Sequence, residues 1–211
     1  MSEKRLGMLI DLSLCIGCNA CAVACKLEND VPANDVFNVW VESWDGDRGD
    51  GYVCRTNVPK QCNQCTNPSC VPVCPTGATY IAEDGTVQIN ADECIGCQAC
   101  MAACPYGARW LSEETTTVRK CTFCEHRVEN GLVPACVATC VTKSRIFGDL
   151  NDPQSDISKR IAEAGDAVTV LLPEEGLEPN VYYIGLTEAL DMPKRSGVNK
   201  GGNVLETYEG K

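Results

Sequence analysis

A chain of 211 residues carries seventeen cysteines, one histidine and a formal charge of −11. This acidic balance argues against nucleic acid, because phosphate binding is led by clustered lysine and arginine; it is the balance of an ordinary soluble surface. No apolar run approaches the roughly 20 residues of a membrane helix, so no direct membrane span is expected.

The first fifteen residues, MSEKRLGMLIDLSLC, hold two basic side chains and a short apolar stretch, with no small-residue cleavage site and no twin-arginine pair. They place the protein in the cytoplasm unless a partner carries it out. Residues 6–14 read as a short strand entering a cysteine motif, CIGCNACAVAC, with Cys15, Cys18, Cys21 and Cys25. The segment that follows, to about Gln61, reads as an inserted β-hairpin: VFNVWVESW and YVCRTNV alternate around the turn-forming DGDRGDG. Trp40, Trp44 and Cys54 fall in it, and pack either a small satellite core or, on the functional reading, a partner subunit.

A second motif, CNQCTNPSCVPVCP, holds Cys62, Cys65, Cys70 and Cys74. The stretch TYIAEDGTVQIN, turning at Asp-Gly, joins it to a third, CIGCQACMAACP, with Cys94, Cys97, Cys100 and Cys104. YGARWL reads as a strand and SEETTTVRK as a polar connection. In the fourth motif, Cys121 and Cys124 are separated from Cys136 and Cys140 by EHRVENGLVPA, a short helix or loop. His126 lies there alone, and a surface or capping role is preferred to tuning a redox centre. Beyond Cys140, SRIFGDL reads as a strand, DPQSDISKRIAEAG as a capped helix starting near Asp152 or Ser155, and AVTVLL and NVYYIGL as further strands. None of these is expected to carry chemistry. The last twenty or so residues have little apolar material and suit an extended arm against a larger partner.

Cysteines two residues apart in one turn are poorly placed to pair with each other and well placed to share a metal centre. Zinc is the first alternative, since Cys-x-x-Cys is a common zinc half-site. Zinc sites take cysteines in twos, however. A third cysteine at the same interval, then a fourth and, at Pro75 and Pro105, a proline, is the pattern of a cubane iron–sulfur cluster whose fourth cysteine ligates the neighbouring cluster. Motifs one and three keep this spacing, motif two repeats it with two extra residues in the middle and motif four with a long central insertion; together they supply sixteen candidate ligands and leave Cys54 over. Gly17, Ala20, Gly96 and Ala99 let the backbone approach the sulfides, so that N–H groups can hydrogen-bond a cluster and set its potential. There is no nucleophile elbow, phosphate loop or dinucleotide fingerprint; the chemistry on offer is one-electron relay.

From about Arg5 to Leu186 the chain resembles the four-cluster iron–sulfur subunits of the DMSO reductase superfamily. These are electron-transfer partners of molybdopterin (molybdenum or tungsten) enzymes such as polysulfide, thiosulfate, tetrathionate and DMSO reductases. The matching text is DLSLCIGCNACAVACKLEN, PKQCNQCTNPSCVPVCPTGA, CIGCQACMAACPYGAR and KCTFCEHRVENGLVPACVATC, then a strand with Phe147 and Gly148.

The resemblance implies an α+β fold: two ferredoxin-like 4Fe-4S halves with short hairpin insertions and an extended C-terminal arm. Residues 1–61 and 106–150 would form one half, with its hairpin at about 34–60, and residues 62–105 the other. A helix and strands would occupy 151–190 and the tail 191–211. Four 4Fe-4S clusters are implied, held by Cys15, Cys18, Cys21 and Cys140; by Cys25, Cys121, Cys124 and Cys136; by Cys62, Cys65, Cys70 and Cys104; and by Cys74, Cys94, Cys97 and Cys100. The implied partners are a molybdopterin catalytic subunit, on the side of motifs one and four, and a quinone-linked membrane anchor on the other. The chain itself would have no catalytic site, and relatives without a signal are often exported with a twin-arginine partner. Val141 departs from the pattern, which often has proline there, and all third-motif cysteines are present, so a 3Fe-4S centre is not expected. The competing readings are a free polyferredoxin or hydrogenase- or formate-linked carrier, and a structural zinc protein.

Overall fold

Strand β1 (Leu6–Asp11) is buried at all six positions, as its near-continuous apolar run requires of a strand with neighbours on both edges and cover on both faces. This computed structural model describes residues 4–33, 36–47 and 53–187. The arm expected at 191–211 and the tip of the first hairpin lie outside the described residues.

β1 is an inner strand of a four-stranded sheet, flanked antiparallel by β8 (Arg145–Asp149) and parallel by β10 (Val181–Ile184), with β9 (Val168–Val170) antiparallel to β10. Met8 stands opposite Phe147 on one side and Val181 on the other. Helix α5 (Asp156–Ala164) packs on β8 and β1. Ser155 caps it, its hydroxyl accepting from the Ser158 amide at 3.2 Å, and Arg160 reaches the buried Asp11 carboxylate at 3.0 Å. The residues after the fourth motif are thus built into the same sheet as those before the first.

The inserted hairpin is formed by β2 (Val39–Asp47) and β3 (Val53–Gln61), paired from Val39↔Gln61 to Asp47↔Val53. Its first strand begins three residues later than the alternation from Val36 suggests. The tryptophans do not pack a satellite core: Trp40 and Trp44 join Met8, Ile10, Val58 and Tyr183 in the main one, and the Tyr183 hydroxyl donates to the Pro59 carbonyl at 2.9 Å.

Two further hairpins follow the second and third motifs: β4 (Thr79–Ile81) with β5 (Val87–Ile89), and β6 (Arg109–Leu111) with β7 (Val118–Lys120). β7 lies in the stretch read as a polar connection. Three residues with Val118 as their one apolar member are too few to show alternation, and the inward side chain at the other end is Lys120, buried because carbonyls receive its ammonium. The remaining helices carry or flank cysteines: α1 (Ala20–Glu28), α2 (Ala99–Ala102), α3 (Glu125–Val128) and α4 (Ala135–Ala138), with α1 packed on α4. Among the described residues no helix is long and apolar enough to cross a membrane.

Candidate metal centres

In each motif the third and fourth cysteines are four residues apart. On a helical turn such side chains sit side by side with Cβ atoms about 5–6 Å apart, close enough to border adjacent spaces and too far to share one ion. Cys21 and Cys25 on α1 show the result: they line two different cavities. The structure brings four thiols around each of four cavities. Cys15, Cys18, Cys21 and Cys140 ring the first, and Cys25, Cys121, Cys124 and Cys136 the second. Cys62, Cys65, Cys70 and Cys104 ring the third, and Cys74, Cys94, Cys97 and Cys100 the fourth. Each enclosure, open mouth included, is about 250–350 Å³, at or below the bottom of the range that holds organic ligands. Among the described residues no three Cys, His, Asp or Glu side chains are grouped as a single-ion site. Thiols that ring a space rather than meet at a point suit a multi-iron cluster and not zinc, whose ligands must all lie within about 2.3 Å of one ion.

The loop geometry recurs. The residue before the second cysteine has a left-handed backbone in all four motifs: Gly17 (φ +68°), Gln64 (+48°), Gly96 (+65°) and Phe123 (+56°). Neighbours decide which of these must be glycine. A Cβ at Gly17 would lie 2.5 Å from Asn57 Oδ1, and one at Gly96 would lie 2.2 Å from the Thr116 carbonyl oxygen. Gln64 and Phe123 accept a backbone cost of about 1–2 kcal/mol because their side chains bind inward. Gln64 Nε2 donates to the Cys121 carbonyl at 2.8 Å and its oxygen accepts from the Val87 amide at 2.7 Å, while Phe123 meets the Phe147 ring edge-on at 5.3 Å. The glycines are therefore demanded by the hairpins that close over the loops as well as by any approach to sulfide.

Electrostatics separate these thiols from simple core cysteines. Burial pushes Cys25 and Cys65 each up to about 12, reinforced at Cys25 by Cys136 and Cys124, and burial raises Cys136 to about 11 despite Arg145. Thiols raised in this way ionise only against a cationic centre, which is how metal binding and thiol deprotonation are coupled. At Cys74 burial is outweighed by donors: the amides of Thr79, Thr76 and Ala78 and the Thr76 hydroxyl bring it to about 7. Cys140 is lowered the same way, against its burial, by the Arg145, Ser144 and Thr142 amides and the Thr142 hydroxyl.

Three buried cations were missed in the sequence. Arg109 Nη2 donates to Cys70 Sγ at 2.8 Å. Lys120 donates to the carbonyls of Val87 and Cys121. Arg145 Nη1 donates to Gln61 at 2.6 Å and lies 3.9 Å from Cys136 Sγ, while its Nη2 is buried with no partner. A buried guanidinium that lines a ring of thiols and keeps one nitrogen without a partner suits an anionic iron–sulfur cluster, so the residues present fit such clusters. Arg145 also corrects the expectation that nothing after Cys140 carries chemistry. A signal existed: arginine stands five residues past the last cysteine in both the third and fourth motifs.

His126 pairs with a carboxylate. Its Nε2 lies 2.9 Å from Glu28, which Arg127 holds from the other oxygen at 2.9 Å, so it ties α3 to the end of α1. Cys54 lies outside all four groups, half-buried, its thiol 3.7 Å from the Gly46 carbonyl oxygen. Cys54→Ser is expected to leave iron content unchanged, since a thiol there behaves as a small apolar side chain; iron analysis showing a lost cluster would overturn the grouping.

Comparison with known proteins agrees with this chemistry. Residues 53–150 match the 4Fe-4S dicluster domain family and residues 8–27 the 4Fe-4S binding domain family. The chain is 47% identical over 192 residues to a tetrathionate reductase subunit of Salmonella typhimurium, covering 90% of this chain and 76% of that one. It is 42% identical to one of the chains of polysulfide reductase from Wolinella succinogenes, covering 86% and 94% of the two. To the arsenate respiratory reductase iron–sulfur subunit of a Shewanella species it is 36% identical, covering 85% and 96%. The protein belongs to the family of iron–sulfur electron-transfer subunits of molybdopterin oxidoreductases.

Proposed function

We propose that the chain is a non-catalytic subunit of an oxidoreductase complex and relays single electrons through four 4Fe-4S clusters. The relay runs between a molybdopterin catalytic subunit and a quinone-linked membrane anchor or another redox partner. One observation carries this reading: sixteen cysteines fall into four groups of four, each with three thiols from one motif and one from a second. Fourth-cysteine exchange of this kind belongs to paired ferredoxin clusters. On this reading the four groups are the four ligand sets, motifs one and four forming one ferredoxin-like half and motifs two and three the other. The bound clusters supply one-electron carriers; the residues around them hold thiolates, aim N–H groups at sulfur and exclude water.

Burial supports a linear order. Cys18 and Cys97, in the first and fourth groups, are exposed, whereas all four thiols of the second group and three of the third are buried. Cys21 and Cys25 link the first two groups along α1, and Gln64 bridges the second and third through the Cys121 carbonyl. Exposed apolar side chains flank the ligands at both ends: Leu14, Ile16 and Val141 beside the first group, Val73 and Ile95 beside the fourth. Two semi-exposed termini with apolar collars suit two docking partners, one to deliver electrons and one to accept them.

Purification of the complex from its own cells tests this. The chain is expected to co-purify with a large subunit containing molybdenum or tungsten and to carry about sixteen iron atoms, four per cubane, with no substrate turnover by the chain alone. Recovery as a free carrier would replace this reading with the polyferredoxin one. Iron near about eight with zinc present would remove the four-cluster count.

A further inference from the structure

Arg145 and Arg109 occupy equivalent places. Each stands five residues past a terminal cysteine, Cys140 and Cys104, and begins the strand that follows, β8 and β6. Each is 6% exposed or less. Burying a guanidinium costs several kcal/mol unless an anion compensates it, and among the described residues neither is in an ion pair with a carboxylate. The neighbours that can compensate are cysteines.

Each arginine lines one cavity and contacts a residue that lines the neighbouring one. Arg145 lines the first, with Cys15, Cys18, Cys21 and Cys140, and its Nη2 is buried with no partner, while its Nη1 lies 3.9 Å from Cys136 Sγ of the second. Arg109 lines the third cavity and donates from Nη2 to Cys70. Its Nη1 donates at 3.3 Å to the hydroxyl of Thr79, a residue lining the fourth cavity. Because a guanidinium stays protonated in proteins, these are permanent charges placed between neighbouring sites.

We infer that Arg145 and Arg109 are shared electrostatic regulators, each raising together the reduction potentials of the two clusters on either side of it, first with second and third with fourth. The physical basis is that an electron arriving at a thiolate-ligated cluster adds negative charge with no proton to offset it. A fixed cation common to both sites stabilises the reduced form at either, and does so strongly in a poorly hydrated interior. Sharing one cation raises both potentials without opening a gap between them, as a charge beside only one of the two would.

The inference rests on the four-cluster assignment proposed above; iron content and spectra of the unsubstituted chain report that assignment separately. The test is an EPR-monitored redox titration of the full, cluster-loaded chain. In Arg145→Met, which keeps an apolar stem without the charge, two of the four clusters should become harder to reduce by at least about tenfold, 59 mV for a one-electron couple, while the other two stay within about twofold. Arg109→Met should move the complementary two. Arg145→Lys, which restores charge but not the planar fork, should recover most of the shift. Unchanged potentials at full iron content in the Met variants would overturn the inference, as would equal shifts in Arg145→Lys and Arg145→Met, or a shift confined to one cluster. If Arg145→Met loses iron, Arg145→Gln is titrated in its place. Iron loss from both neutral variants with retention in Arg145→Lys supports the charge role, and loss from all three contradicts it.

Discussion

Cys104→Ser is expected to change the EPR signal of the cluster held by Cys62, Cys65 and Cys70, and to leave that of Cys94, Cys97 and Cys100 largely intact. Cys74→Ser should do the reverse. The expectation follows from the cavity linings, in which Cys104 joins the second motif's thiols and Cys74 the third's. Its physical origin is the four-residue spacing from Cys100 to Cys104, which sets two thiols side by side on one turn but against different spaces. The discriminating comparison is with Cys97→Ser. Cys74→Ser and Cys97→Ser should alter one common signal and lower iron by no more than about four atoms per chain, one cubane's worth. If Cys104→Ser and Cys97→Ser instead alter the same cluster, each motif binds its own cubane and the exchanged pairing is wrong. Because a lost ligand can destabilise a whole half, the spectra must come from protein shown to be folded.

Removing the clusters is expected to unfold the region of the second and third motifs outright and to spare the four-stranded sheet for longer. The core of that region consists of Cys70, Val87, Cys100 and Val118, with Val71, Ile89, Cys94, Met101 and Leu111 packed against it. Several of these are candidate ligands, so without clusters the region loses its centre and keeps two three-residue hairpins, which are marginal by themselves. The sheet around β1 is different: its core includes Cys21, Cys25, Cys62, Cys121 and Cys136, but fifteen of its twenty buried members, among them Leu6, Met8, Ile10, Trp40, Val58 and Tyr183, are not cysteine and stay packed without a cluster. Anaerobic oxidative iron removal followed by amide hydrogen exchange reads the contrast. Amides of Thr79 to Ile89 should exchange at nearly unfolded rates while those of Met8 and Tyr183 remain protected. Full retention of protection in the second and third motifs after iron loss would show that packing, and not metal, holds that region together.

What the sequence determined by itself is the local chemistry. Spacing of two, two and three between cysteines dictates tight loops ending in a helical turn, and this is encoded within a dozen residues; so are the Asp-Gly turn of β4–β5 and the Ser155 cap. Cluster type and one-electron function were legible because thiolates at this interval have few other uses. Tertiary structure decided what depends on distant residues. Gly17 and Gly96 are required by Asn57 and Thr116, forty and twenty residues further along the chain. Trp40 and Trp44 belong to the main core because β3 is tied to β10 through Tyr183. Lys120 disguised β7, since a charged side chain at an inward position breaks the alternation by which strands are read. Arg109 and Arg145 were hidden for the same reason: a charged residue on a short strand reads as surface, and only the folded chain reveals that the space beside it is lined with thiols. Local spacing specifies a ligand loop, whereas which loops face each other, and which cation lies between them, is settled by strand pairing between residues more than a hundred apart and by side-chain packing between distant segments.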